Sequence, residues 1–528
     1  MKKLALAGAA LGAAALLTPE TSHAIRVWSA STQQFLDINF LIQTWFRYQK
    51  IDDENRPNFV EAPSNNFDTS FRRIRFRLGG SYNKYFKFNF VVRLNNTGRD
   101  AYIAPFGGQP PGYLRQGGLL GGRNLALHEL DLKFALHEMF GASGWIIDAH
   151  LGFPRVPLGR EQYGRTGFDN LESDRTFATL RWTHLTVANV TGRAYGGFIH
   201  VRKGNKAKGF KKITWDGFVG VFDGFKGIEQ PWDETARVGA AGTVDSVCQP
   251  PGPNFAKCLS QLRSNSKDSF LYTFRTTLML GKPEGKPKGL NWLYRDTYLG
   301  KRKGVTLGLS YAMQNDIDQE LITDVQGPAP GITGSGGTQA GAGSVQVRVP
   351  YMILPNPIAQ FSNVANNPVD MQMYGADIAI HYGPLTLIGE IGQHQFKGVW
   401  LSSSNPSEDF KNKWLIAKAA WVINPGSVHL WEPYVSYYEW NPDIKEAPCG
   451  GGNVCAYGDA ANFIKKNKWT SNATAQATLG KIKVTSVGIN YWYDKAKLFG
   501  WTFEYQTYDE ERNEIDNDAF TVQFRFVF

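Results

Sequence analysis

Ala519-Phe520-Thr521-Val522-Gln523-Phe524-Arg525-Phe526-Val527-Phe528 stands last in the chain and decides the reading of its fold. Successive side chains of an extended strand point to opposite faces. Phe520, Val522, Phe524, Phe526 and Phe528 therefore share one face, and Thr521, Gln523 and Arg525 share the other. About ten residues at roughly 3.3 Å each, tilted by about 40°, rise roughly 25 Å, the height of the apolar band of a membrane barrel. One face suits lipid and the other suits water. In a soluble sandwich those phenylalanines would need a second sheet to cover them.

The same alternation recurs upstream. Phe35 to Arg47 sets Leu36, Ile38, Phe40, Ile42 and Phe46 against Asp37, Asn39, Gln43 and Arg47. Ser70 to Ser81 sets Ile74, Phe76 and Leu78 against Arg73, Arg75 and Arg77. The arginines must face inward, because a charge on the lipid face at mid-bilayer costs about 2–4 kcal/mol. Phe86 to Asn95 adds Lys87, Asn89 and Arg93 to the inner face, and Leu125 to Leu136 adds Glu129, Asp131 and Lys133. Trp145 to Phe153 follows, then a long segment from Pro154 to Thr191 that carries Arg155, Arg160 and Arg165 and suits equally a loop folded into the barrel or an external loop whose charges are solvated. Further strands, with tight turns at Tyr382-Gly383-Pro384 and Asn424-Pro425-Gly426, bring the total to about sixteen. The basic stretch Gly281 to Lys303 is long for a turn, and two short strands within it would make about eighteen. The expected fold is all-β, a transmembrane antiparallel barrel with short periplasmic turns and long extracellular loops. Trp45, Tyr82, Trp145, Trp414, Trp440, Tyr493 and Tyr508 read as interface girdles.

Composition agrees. The 528 residues are 42% hydrophobic and 20% charged, with a mean hydropathy of −0.32. No apolar run beyond the N-terminus is long enough for a membrane helix, whereas a barrel exposes only alternate residues to lipid. Met1-Lys2-Lys3, an apolar run from Leu4 to Leu17 and Ser22-His23-Ala24 form a secretory signal over residues 1–24, with residues 25–528 as the barrel. The net charge of +10 is spread along the chain and does not point to nucleic acid. The four cysteines come as two local pairs, Cys248 with Cys258 and Cys449 with Cys455, and disulfides of open connectivity are expected to staple the loops of an exported chain. No residues stand at metal-ligand spacing beside them, and no cofactor is expected.

Several segments resemble the phosphate-selective porin O and P family. They are Phe71-Arg72-Arg73-Ile74-Arg75-Phe76-Arg77-Leu78-Gly79-Gly80, Leu151-Gly152-Phe153-Pro154-Arg155-Val156-Pro157-Leu158-Gly159-Arg160-Glu161, Val221-Phe222-Asp223-Gly224, Tyr374-Gly375-Ala376-Asp377, and Val487 to Tyr493 with the terminal strand. The resemblance implies a homotrimer of barrels in a Gram-negative outer membrane, in contact with lipid and lipopolysaccharide, each with a pore favouring small anions. The terminal strand is similar to last strands of outer-membrane barrels, which implies recognition by the barrel-assembly machinery.

The expected function is a passive porin lined by Arg47, Arg73, Arg75, Arg77, Lys87, Arg93, Arg155, Arg160 and Arg165, with phosphate or another oxyanion among the solutes. Inward Asp37, Glu129, Asp131, Glu390 and Glu504 offset part of this stripe and could instead pair with it as bracing. An enzyme is not expected. The histidines are scattered and no Gly-x-Ser-x-Gly occurs. The alternative is an adhesin or interaction barrel working through disulfide-stapled surface loops.

Overall fold

A computed structural model describes residues 25–31, 34–50, 65–97, 126–142, 144–163, 170–173, 193–223, 269–285, 294–318, 368–399, 408–441, 443, 446–448, 454–456, 481–493, 499–511 and 515–527. In chain order the strands are β1 (Ile25–Ser31), β2 (Gln34–Lys50), β3 (Asn65–Ser81), β4 (Phe86–Thr97), β5 (Ala126–Ala135), β6 (Trp145–Phe153), β7 (Gly196–Gly204), β8 (Ile213–Asp223), β9 (Phe270–Gly281) and β10 (Lys303–Asp318). There follow β11 (Pro368–Tyr382), β12 (Leu385–Val399), β13 (Glu408–Trp421), β14 (Leu430–Asn441), β15 (Glu446–Pro448), β16 (Val454–Ala456), β17 (Ile482–Trp492), β18 (Phe499–Glu510) and β19 (Ile515–Val527).

Seventeen strands form one sheet, and β1 pairs with β2 beside the barrel, leaving sixteen, β2–β14 and β17–β19, around the circumference. Each pairs antiparallel with the next, and β19 closes on β2 from Asp518↔Lys50 to Val527↔Leu41. Closure leaves the ring without a free edge, so every ladder hydrogen bond is made within the sheet, as a bilayer demands. This is the architecture of an outer-membrane β-barrel.

Alternation sorts the faces as the sequence requires. On β19, Thr521, Gln523 and Arg525 are buried inward while Phe520 is 44% exposed outward. Val219, Leu309, Ile391, Val435 and Val487 are likewise exposed on the outer surface, where lipid covers them. Four aromatics depart from the girdle expectation. Trp45, Trp414, Trp440 and Tyr508 are buried and face inward, because they stand an even number of residues from the inward Arg47, Lys418, Tyr438 and Glu504. Tyr82 and Tyr493 are exposed, as expected of a girdle.

The barrel has a short-turn end, with connections such as 82–85, 205–212 and 383–384, and a long-loop end. Gly383 and Asn424 take positive φ (60° and 53°) in the tight turns, where a glycine or asparagine is tolerated. Among the described residues, Gly281 to Lys303 contains no extra strand, so the eighteen-strand alternative is corrected to sixteen. Two register shifts matter for the interior. Arg72 is the extra residue opposite Gln43 and Thr44, and His128 is the extra residue opposite Val91 and Val92. The second bulge leaves both His128 and Glu129 buried, with Leu127 exposed.

Candidate functional site

Two chain segments enter the lumen from opposite ends. The connection from β9 to β10 crosses the short-turn end. Its Leu299 joins Val422, Leu430 and Trp492 in a fully buried apolar cluster on the far wall. Thr297 hydrogen-bonds Glu432, and His381 meets the Asp296 carbonyl at 3.0 Å. Tyr294 contacts the Thr277 hydroxyl at 3.1 Å. Arg302 donates to the Lys282 carbonyl at 2.9 Å and to Thr306 at 2.8 Å, pinning the return into β10. The described residues of the stretch that the sequence suggested as strands, 281–285 and 294–303, are instead packed as an inner wall.

The second segment follows β6. Its described residues, Pro154–Tyr163 and Asn170–Ser173, lie in the lumen, in keeping with the infolded-loop reading. Gly159 N donates to Ser310 at 3.1 Å, and Glu161 N to Glu390 at 2.8 Å. Ser173 donates its hydroxyl to Glu504 at 2.6 Å. Asn490 and Arg525 hold the Leu171 and Asn170 carbonyls at 2.9 and 3.2 Å. One loop is thus fastened to β10, β12, β17, β18 and β19.

The two segments lock to each other. Arg160 makes a two-pronged bond to Glu284, 2.8 Å on each arm, with both side chains buried. Burial would raise the Glu284 carboxyl, but Arg160 and Arg302 beside it prevail and hold it well below the usual carboxylate range. Burial opposes charge on Arg160 as well, and Glu284 outweighs it and raises the guanidinium. Lys418 of β13 is the second junction. It pairs with Glu161, with Glu172 at 3.5 Å and with Asp296 at 3.0 Å, so one ammonium ties both inserted segments to the wall. Tyr438 donates to Glu172 at 2.6 Å. Around the filled half, Arg275 pairs with Asp377 at 2.7 Å and Arg202 with Asp216 at 2.6 Å.

The opposite half carries the arginine stripe. Among the described strand residues, the inward-facing charged side chains that keep partial exposure are Arg75, Arg77, Lys87, Arg93 and Asp131, all on β3–β5. Arg75 stands directly across from Arg93, a like-charge pairing that disfavours the sheet unless water or an anion screens it. Part of the stripe is braced. Arg73 donates to Gln43 at 2.8 Å, Arg77 to Asn89, and Asn89 to Glu129 at 2.6 Å. Glu129 also takes Arg193 at 2.7 Å and lies 3.8 Å from Arg155. Lys133 pairs with Asp148 at 2.7 Å, and His150 with Asp131 at 2.9 Å.

The expected lining set therefore divides. Arg75, Arg77, Lys87 and Arg93 line the partly exposed wall. Arg47 is buried, with its guanidinium 5.1 Å from the Trp45 ring and 3.5 Å from Gln506, and Arg73 and Arg155 are buried within the bracing. Arg160 is corrected from a lining residue to the pin between the inserted segments, because its fork matches Glu284 and is closed to solvent. Arg165, Cys248, Cys258 and Cys449 lie outside the described residues. Cys455 sits in β16 opposite Ala447 of β15, in a hairpin at the long-loop end. Sequence reasoning missed Arg193, Glu284 and Lys418. Lys418 alone left a signal, as the one charge in Trp414-Leu415-Ile416-Ala417-Lys418-Ala419-Ala420.

No family model matches the chain. One protein of Aquifex aeolicus (strain VF5), described as uncharacterized, is 68% identical over 248 residues, which are 47% of this chain and 90% of that protein. This chain belongs to its family. A second uncharacterized Aquifex aeolicus protein belongs there too, 77% identical over 173 residues, 33% of this chain and 99% of that protein. Solved structures with a similar fold include the anion-selective porin from Comamonas acidovorans, at 10% identity over 94% of this chain and all of that one, with a TM-score of 0.42. OprB of Pseudomonas putida is similar at 10% identity over 93% and 94% of the two chains, with a TM-score of 0.43. The outer membrane channel DcaP of Acinetobacter baumannii is similar at 8% identity over 96% and 100%, with a TM-score of 0.41. At these scores the likeness adds nothing to the strand pairing described above.

Proposed function

We propose that the protein is an outer-membrane porin, a passive channel whose water path runs along β3–β5 and favours small anions. The observation that carries this reading is that, among the described strand residues, partly exposed inward charge is confined to Arg75, Arg77, Lys87, Arg93 and Asp131, four cations and one acid. The inserted segments fill the other half and press the path against this wall. A narrowed path with low-dielectric walls raises the worth of each charge, and a row of guanidinium groups selects anions and can grip an oxyanion with two parallel bonds. Phosphate is one candidate, in line with the sequence resemblance to the phosphate-selective porins. A homotrimer, contact with lipopolysaccharide, delivery by the barrel-assembly machinery, the signal over residues 1–24 and the two loop disulfides belong to the same proposal.

The test is the reversal potential of the refolded protein in a planar bilayer under a salt gradient. The expected result is stepwise conductance with an anion-selective reversal, moved toward the cation side by Arg75→Ala with Arg93→Ala. Cation selectivity in the wild type would overturn the anion preference. A heat-modifiable barrel that passes no current would overturn the channel reading and favour the interaction barrel, for which the β15–β16 hairpin at the long-loop end is the nearest support.

A further inference from the structure

Beyond the lumen, the short-turn end carries a charge pattern that the channel reading does not use. Lys203, Lys206, Lys208, Lys211, Lys282 and Lys303 are all exposed there. They form one patch, because the turn after β7 docks on β9 through Gly281 N to the Lys212 carbonyl at 2.8 Å, and Gly281 pairs with Gly304. The acids among the described residues of 196–216 and 278–306 are Asp216, Glu284 and Asp296, and all three are buried. Within these two stretches the patch therefore meets solvent with basic charge alone, and Glu138, in the turn before β6, is an exposed acid at the same end.

Its height relative to the membrane is set by aromatic neighbours on the outer face. Lys203 lies 4.2 Å from the Trp145 ring, and Lys303 lies 5.5 Å from the Tyr382 ring. Phe210 stacks on Tyr382 with centroids 6.2 Å apart, and both rings are at least half exposed. Trp215, also outward and exposed, donates its indole N–H to Thr276 at 2.8 Å. Outward tryptophan and tyrosine at strand ends sit at the headgroup level, and long lysine stems there reach to the phosphates. On the opposite side of the same end, the outer face presents His429, Trp431, Tyr491 and Trp501 around an apolar groove, with no lysine among the residues lining it. Among the described residues of this end, the exposed lysines are concentrated on β7–β10.

We infer that this patch binds the headgroups of anionic phospholipids in the leaflet facing the short turns, anchoring one side of the barrel. The lysines supply charge at the phosphate level, and the aromatic rings below them pack against glycerol and the upper acyl chain. The inference does not depend on whether the lumen conducts.

Native mass spectrometry of the refolded full chain, released from micelles containing equal phosphatidylglycerol and phosphatidylcholine, tests it by counting retained lipids. The wild type is expected to retain phosphatidylglycerol preferentially. Lys206→Gln, Lys208→Gln, Lys211→Gln and Lys282→Gln combined are expected to remove that preference, each lysine contributing up to roughly fivefold. Lys84→Gln, in a different turn, is expected to leave it intact. Equal retention of both lipids by the wild type, or an undiminished preference in the quadruple variant, would overturn the inference. So would displacement of the lipid by an equal concentration of inorganic phosphate, which would identify a free-anion site. The substituted lysines are exposed, and heat modifiability of the variant checks that it has folded.

Discussion

Arg160 and Glu284 illustrate how a charge changes role once its partner is known. Removing the guanidinium leaves a buried carboxylate that, among the described residues, meets Tyr298 at 3.1 Å and Arg302 at 3.8 Å, and breaking a buried pair costs about 3–5 kcal/mol. Arg160→Ala is accordingly expected to lower the temperature at which the folded gel band converts to the unfolded one. Glu284→Gln should do so by less, since its amide oxygen still accepts a hydrogen bond from the buried Arg160 guanidinium. The pH dependence has a definite sign. The folded-state carboxyl of Glu284 lies below its ordinary value, so its contribution is fully present above about pH 4.3, the unfolded value. It is lost only as pH falls through the lower folded value. Mild acid down to about pH 5 should therefore leave the wild-type transition unmoved by this group. None of this was legible at Arg160 itself. Sequence spacing cannot bring residues 160 and 284 together, whereas Arg75 and Arg93 needed only strand parity to be placed.

Strands were the most legible elements, because lipid on one side and water on the other impose a period of two that soluble sheets follow less strictly. The strand number of sixteen matches, and the strands spelled out from the sequence fall where they were placed, with ends differing by a few residues, as at β2, which runs to Lys50 where alternation ended at Arg47. The girdle assignment failed for Trp45, Trp414, Trp440 and Tyr508 because residue type outweighed parity. β1 has no counterpart among the strands read from the sequence, because Ile25–Ser31 is too short for its alternation to stand out. The bulge at His128 left no pattern, since one inserted residue merely shifts the phase of the alternation. An arginine introduced on the lipid side is expected to test the face assignment directly. Val487→Arg, at a position 56% exposed on the outer surface, should cost about 2–4 kcal/mol. Thr485→Arg, on the same face nearer the long loops, should cost less, and urea titration of the barrel in vesicles reads both.

Across the molecule, the inserted segments make the lumen asymmetric. A barrel of this size would enclose an open aqueous channel if nothing entered it, yet here one half is packed around Lys418 and the Leu299 cluster. Lys418→Met removes the ammonium shared by Glu161, Glu172 and Asp296. Combined with Arg160→Ala it should loosen both segments, raising single-channel conductance and weakening anion selectivity as the path spreads away from β3–β5. Unchanged conductance in a folded double variant would mean that the inserted segments do not bound the path. The long connection between β9 and β10 was visible as an anomaly of length and charge. Its destination was not, because its apolar anchors, Leu299 and Tyr294, look like ordinary turn residues until the far wall is present.

The place of β1 also bears on how such a ring closes. β19 occupies the flank of β2 from Lys50 down to Leu41, and β1 occupies the same flank from Ile38 to Gln34. The two never compete for a partner; they lie end to end along one lane. A hairpin between near neighbours in sequence forms within microseconds, long before a strand almost five hundred residues away can arrive. With β1 on its part of the lane, the incoming strand has a single berth left. A slip toward Gln34 would collide with it, so the chain carries a doorstop that sets the register of its own last seam.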